Sequence, residues 1–183
     1  MNRAFQALKQ VAIALLLSCL TLIFGCAIVS EEPTAQAIIS STTNPDTSLG
    51  MAKFTETKDG LKIQAALIGA PQGEHGFHIH AKGSCADGGT SAGGHYNPAG
   101  VKHGYLIEDG FAKAHAGDLG NIVVDADGAG EMTATIPGLT LADDYSIVNK
   151  AVILHADPDD LTSQPTGNAG GRIGCGIIQS SDF

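Results

Sequence analysis

Between Gly73 and Pro98 the chain reads GEHGFHIHAKGSCADGGTSAGGHYNP, and few folds can accommodate that stretch. Successive side chains of a strand point to opposite faces, so His78 and His80 of the run FHIH project together while Phe77 and Ile79 turn the other way. Two imidazoles on one face can grip one metal ion. The segment from Gly83 to Gly94 is too rich in glycine to be a helix or a long strand, and it ends at His95, followed by Tyr96, Asn97 and Pro98. The loop therefore carries a further ligand back toward the strand.

Around this stretch the pattern is that of strands. Met51 to Thr57, a turn at Lys58, Asp59 and Gly60, and Leu61 to Gly69 form a β-hairpin in which Leu61, Ile63, Ala65 and Leu67 alternate with their neighbours. Asn121 to Asp125 and Glu131 to Ile136 repeat the device around Asp127 and Gly128. Ala151 to Leu154 and Gly174 to Ile178 add two short apolar runs. No window carries a convincing 3.6-residue period, and 24 glycines with regularly spaced turns point to an all-β sandwich or barrel of one domain, residues 49–183. Residues 26–48 turn to Ser, Thr, Pro, Asn and Glu, with a short apolar break at Ala37 to Ile39, and read as a mobile tether.

Residues 1–25 read as a targeting leader: Arg3 and Lys9 supply positive charge, and Val11 to Phe24 is almost wholly apolar. Its end, Ile23, Phe24, Gly25, Cys26, resembles a bacterial lipoprotein signal in which Cys26 is lipidated. Cleavage further on, or retention of Val11 to Val29 as a membrane span, are the alternatives. Each exports the rest of the chain, to the periplasm or to a membrane anchor facing away from the cytoplasm. With Arg3 and Lys9 removed, 8 basic residues face 19 acidic ones, leaving −11 on the remainder. Such a charge excludes nucleic acid as a partner and restricts membrane attachment to the leader or a lipid. Cys19 and Cys26 belong to the leader or its boundary, so Cys85 and Cys175 remain, and an exported pair reads as one disulfide.

His103, His115 and His155 lie outside the opening stretch; Asp118 follows His115 in the run HAGDLG, and His155 ends the apolar run VILH. His75 reads as a satisfied polar group. The remaining six histidines suit copper and zinc, and a carboxylate beside three of them suits zinc. Two four-coordinate sites need eight positions, and His78, His80, His95, His103, His115, His155 and Asp118 provide seven. Either one ligand is shared or one site stays open to water or substrate. Imidazole has two donor nitrogens facing apart, and His95 is the natural candidate for sharing.

FHIH, GGHYNP from Gly93 to Pro98, HAGDLG, and TGNAGGRIGCG from Thr166 to Gly176 together resemble the copper,zinc superoxide dismutase family, over nearly everything from about Leu49 to Ile178. The resemblance implies a Greek-key β-sandwich closing as a flattened barrel, with long metal-binding and active-site loops. It implies copper held by His78, His80, His95 and His155, and zinc held by His95, His103, His115 and Asp118, with His95 bridging. Asp159 falls where the family places a carboxylate linking a copper histidine to a zinc histidine. Arg172 would sit over the copper, and Cys175 would pair with Cys85. The implied activity is disproportionation of superoxide, with copper as the redox ion and His95 as both ligand and proton donor. The spacings from Cys85 to His95 and from His103 to His115 are longer than in the familiar eukaryotic members, and Ala156 to Gly171 contains no lysine to guide the anion. Relatives occur as monomers and as dimers, so a homodimer is open. Two other readings stand beside this one: an exported copper or zinc buffer or delivery protein without turnover, and a zinc hydrolase using the open position.

Overall fold

In the computed structural model, which describes residues 32–181, the alternating stretches are strands of one antiparallel sheet. They are β1 Thr34–Ser41, β2 Ser48–Thr57, β3 Gly60–Leu67, β4 Gly73–His80, β5 Asp118–Val124, β6 Gly130–Ile136, β7 Ala151–His155, β8 Arg172–Ile177 and a two-residue β9, Gln179–Ser180. The hydrogen-bonded order is β2-β3-β6-β5-β4-β7-β8-β1, and β1 also pairs with β2, so eight strands close on themselves as a barrel. The non-sequential neighbours β3 and β6, and β4 and β7, give the Greek-key connections. Closure leaves none of the eight with an unpaired edge. A short helix, α1 (Leu106–Asp109), and a 3₁₀ turn at Thr90–Ala92 interrupt the longest loop.

The period-2 pattern decides which face is filled. Leu61, Ile63, Ala65 and Leu67 of β3 are buried, as are Phe54 of β2, Phe77 and Ile79 of β4, Ile122 of β5 and Leu154 of β7; these pack into one apolar cluster inside the barrel. The β2–β3 hairpin has the expected register, from Gly50 against Leu67 to Thr57 against Gly60.

Two expectations need correction. Residues 34–41 are no tether: Thr34–Ser41 is the strand that closes the barrel, its Ala35, Ala37 and Ile39 buried in the core, and the compact unit starts at Glu32. The second hairpin is only a corner. Its turn lies around Asp127 and Gly128, but a single pair, Val124 with Gly130, joins β5 to β6 before they part, β5 toward β4 and β6 toward β3. The leader, with Val11 to Val29 and Cys26, lies outside the described residues.

His78 and His80 lie on the face of β4 opposite the core-facing Phe77 and Ile79, outside the barrel, yet they are buried. Two loops, residues 81–117 between β4 and β5 and residues 156–171 between β7 and β8, cover them.

Candidate metal centre

The strands β4 and β7 run antiparallel with Phe77 opposite Leu154, which brings His155, one residue beyond, to the outer side near His78. An isolated bridge pairs His80 with His95, and Tyr96 N–H donates to the Ile79 carbonyl at 2.8 Å, so the loop is stitched to β4 where its histidine returns. His78, His80, His95 and His155 thus present four donor atoms within 4.8 Å of one another. His95, His103, His115 and Asp118 present four more within the same limit, and His95 belongs to both groups. Of the two ways to make seven ligands serve eight positions, the place of His95 in both groups suits sharing.

The tautomers follow from the outer partners. The Nε2–H of His78 donates to Asp159 Oδ2 at 2.7 Å, Nδ1–H of His80 to the Gly93 carbonyl at 2.8 Å, and Nδ1–H of His155 to the Gly170 carbonyl at 3.2 Å. Each ring spends one nitrogen outward and turns its lone pair inward, as metal-ligating histidines do. Nε2 of His80 and of His155 face each other at 3.3 Å. Nδ1 of His78, Nε2 of His95 and Nδ1 of His103 are buried with no hydrogen-bond partner. Orphaned buried nitrogens are costly in a native structure unless something binds them. His103 Nδ1 lies 3.0 Å from Asp118 Oδ2, close but not aligned as a hydrogen bond, which is the arrangement of two lone pairs aimed at a common centre. Imidazole and carboxylate donors so disposed fit copper in the all-histidine group and zinc in the carboxylate-bearing one.

The electrostatics divide the groups. Burial lowers His80 to about 2, with His95 and Arg172 adding to the effect, and lowers His155 to about 3 and His95 to about 4. Burial also pushes His103 down, but the carboxylates of Asp118 and Asp159 on either side of the ring outweigh this and carry it up to about 9. Burial alone would raise Asp118 and Asp159; hydrogen bonds from the histidines hold both well below the usual carboxylate range. Asp159 joins the two groups directly, Oδ2 to His78 and Oδ1 to His103 Nε2 at 2.9 Å.

Arg172 opens β8 and is half-buried. Its guanidinium donates to the carbonyls of Gly89 and Gly93, the latter at 2.6 Å, and the Gly93 oxygen is the one His80 uses. Cys85 and Cys175 are joined by a disulfide, which ties the same loop to β8. His75 stays out of both groups: Nδ1 faces the His155 carbonyl and Nε2 the Pro71 carbonyl, each at 2.9 Å. Beside the carboxylate-bearing group a cleft of about 720 Å³, lined by Lys102, Lys113 and Gln164, reaches His95 and His115. Several structural partners escape a reading by residue type. Asn121 pairs with the backbone of Asp159, and Gly167 touches the Asp159–His103 bond so closely that any side chain there would overlap Asp159.

A closed Greek-key barrel carrying on its outer face two four-donor groups that could each hold a metal ion, and that share one histidine, defines the class to which this fold and site belong. The family profile described as Copper/zinc superoxide dismutase (SODC) matches residues 48–178, and the chain belongs to that family. Among solved structures it is similar to the clock protein EA4, at 34% identity with a TM-score of 0.71, covering 82% of this chain and 96% of that one. It is equally similar to a SOD-like protein from Bacillus subtilis, solved as a double mutant, at 34% identity with a TM-score of 0.70, covering 79% of this chain and 96% of that one.

Proposed function

We propose that the protein disproportionates superoxide, two anions and two protons giving one oxygen and one hydrogen peroxide, with copper on His78, His80, His95 and His155 and zinc on His95, His103, His115 and Asp118. The observation that carries this reading is the place of His95 in both donor groups, supported by a complete donor set and a cation beside the first group. A copper ion held by His78, His80, His95 and His155 would supply one-electron redox chemistry that zinc lacks. The chain does the rest. His95 turns Nδ1 to Asp118 and leaves Nε2 without a hydrogen-bond partner on the side of the first group, so Nε2 is the atom at which a proton can be held and passed to the peroxide product. Asp159 fixes the rings of His78 and His103. Arg172, fastened to two carbonyls, offers a fixed positive field to a small anion that the chain beyond the leader, at −11, otherwise repels. The disulfide suits an oxidising compartment, and we place the domain outside the cytoplasm, held by the leader or by a lipid on Cys26.

The test is dismutation by the full chain loaded with both metals, beside a zinc-only sample and His95→Ala. Rapid turnover that requires copper and collapses in the variant supports the enzyme. Binding of both metals without turnover moves the protein to metal handling, the reading that the names of its structural relatives leave open.

A further inference from the structure

We propose that Gln164 is a positioning residue for the second metal ion: its amide holds the backbone of His103, and zinc retention depends on it. This rests on the reading of His95, His103, His115 and Asp118 as the zinc group. The Gln164 carboxamide accepts from His103 N–H at Oε1 and donates from Nε2 to the His103 carbonyl, both at 2.9 Å. These are the two bonds a residue of a neighbouring strand would make. His103 lies in no strand and has no other backbone hydrogen bond among the described residues, although it is buried. A buried N–H and C=O left unmet cost free energy, so the amide substitutes for a ladder.

The same loop fixes the other end of the residue. Asp159 accepts from His103 Nε2, and the Asp159 backbone is clasped by Asn121 of β5, its N–H donating to Oδ1 at 2.7 Å and its carbonyl accepting from Nδ2 at 2.9 Å. The barrel sets Asp159, and residues 156–171 transmit that setting to His103 twice: through the ring and, at Gln164, through the main chain. With both ends held, Nδ1 of His103 is aimed at the donor centre. His78 touches Asp159 too, but its backbone lies in β4, registered against Asp118 and Ile153, and it has no need of Gln164. Loss of the amide therefore falls on one donor group. Gln164 is itself exposed, so truncating it empties no core space.

Chelator competition for zinc and for copper, with the full chain and its Gln164→Ala and Gln164→Glu variants, reads this directly. Gln164→Ala is expected to weaken zinc by about 10- to 100-fold, the scale for removal of a ligand's outer partner, with copper changed by less than about threefold. Gln164→Glu keeps the acceptor and loses the donor, and is expected between. The visible absorption of cobalt(II) placed in the second site should shift in both variants, while the metal-free melting temperature falls by only a few degrees, about what two unmet backbone groups cost. Zinc affinity within about threefold of wild type in Gln164→Ala overturns the proposal, as does a parallel loss of zinc, copper and metal-free stability. A wild-type chain that takes up no zinc overturns the site reading and this inference with it; zinc uptake unaffected by the variants overturns this inference alone.

Discussion

On the proposed reading, Arg172 guides the anion with a charge held in one place. A surface arginine samples many rotamers, whereas this one is fastened to the Gly89 and Gly93 carbonyls, near enough to His80 and His155 to help lower both. Guiding fields raise anion on-rates by about tenfold or more and fade with salt. Arg172→Ala should therefore slow dismutation by about tenfold and flatten its dependence on ionic strength, with both metals still bound; a variant with wild-type kinetics removes Arg172 from the mechanism. His103 makes a second prediction at this scale. The carboxylates of Asp118 and Asp159 beside it raise it to about 9, so the metal-free protein carries a proton there at pH 7 that zinc, on the proposed reading, would expel. Zinc affinity should rise tenfold per pH unit from pH 7 toward about 9 and then level, with proton release read by calorimetry in two buffers. His80 and His155, at about 2 and about 3, hold no proton to expel at neutral pH, so copper affinity should be flatter over the same range.

At the scale of elements, β1 shows what residue patterns leave out. Thr34–Ser41 buries Ala35, Ala37 and Ile39, which is proper alternation, but two of the three are alanines and the flanks are Ser, Thr and Asn, so the apolar signal is faint. What makes this segment a strand is the unmet backbone of β2 and β8 on either side, information held by the rest of the barrel. The β5–β6 corner is the same case in reverse: the local turn chemistry is correct, but the ladders to β4 and β3 decide the pairing. The donor set was legible because imidazole and carboxylate chemistry belongs to residue type. The amide clasps of Asn121 and Gln164 were not, since they join backbone 38 and 61 residues away and leave no local signature. One consequence is sharp. A chain begun at Leu49 lacks the closing strand and should be unfolded or aggregated by circular dichroism and gel filtration, while one begun at Glu32 should fold. The disulfide acts at the same scale: it closes a separation of 90 residues and also steadies the loop whose carbonyls hold Arg172. Replacing Cys85 and Cys175 by serine should lower stability by about 4–5 kcal/mol in the loop-entropy account, measured by urea unfolding.

For the whole molecule, net charge and buried histidines make opposite demands on acid stability. The chain has a sequence pI of about 5.0, so acidification from pH 7 toward 5 discharges a strongly negative domain and relieves self-repulsion. On that ground alone the protein should gain stability. His80, His95 and His155 oppose it. Their folded values of about 2, 4 and 3 lie below the ordinary 6.5, so in the metal-free protein they stay neutral while the unfolded chain takes up protons. Their contribution is present above pH 6.5 and is lost as pH falls toward their folded values. Three protons at about 1.4 kcal/mol each give a slope approaching 4 kcal/mol per pH unit near pH 5. His103 does not offset this, since near pH 5 it is protonated in both states; its own contribution is complete below 6.5 and is lost only as pH rises through about 9. A domain is stable by only about 5–15 kcal/mol, and relief of diffuse repulsion cannot match such a slope. The metal-free protein should therefore lose most of its stability between pH 6 and about 4. With both metals bound, protons must first displace ions from the same nitrogens, so the decline should begin at lower pH. Denaturant midpoints of the metal-free and metal-loaded chains across that range decide the matter: a metal-free protein that holds or gains stability on acidification would show that surface charge, not the buried imidazoles, governs the fold.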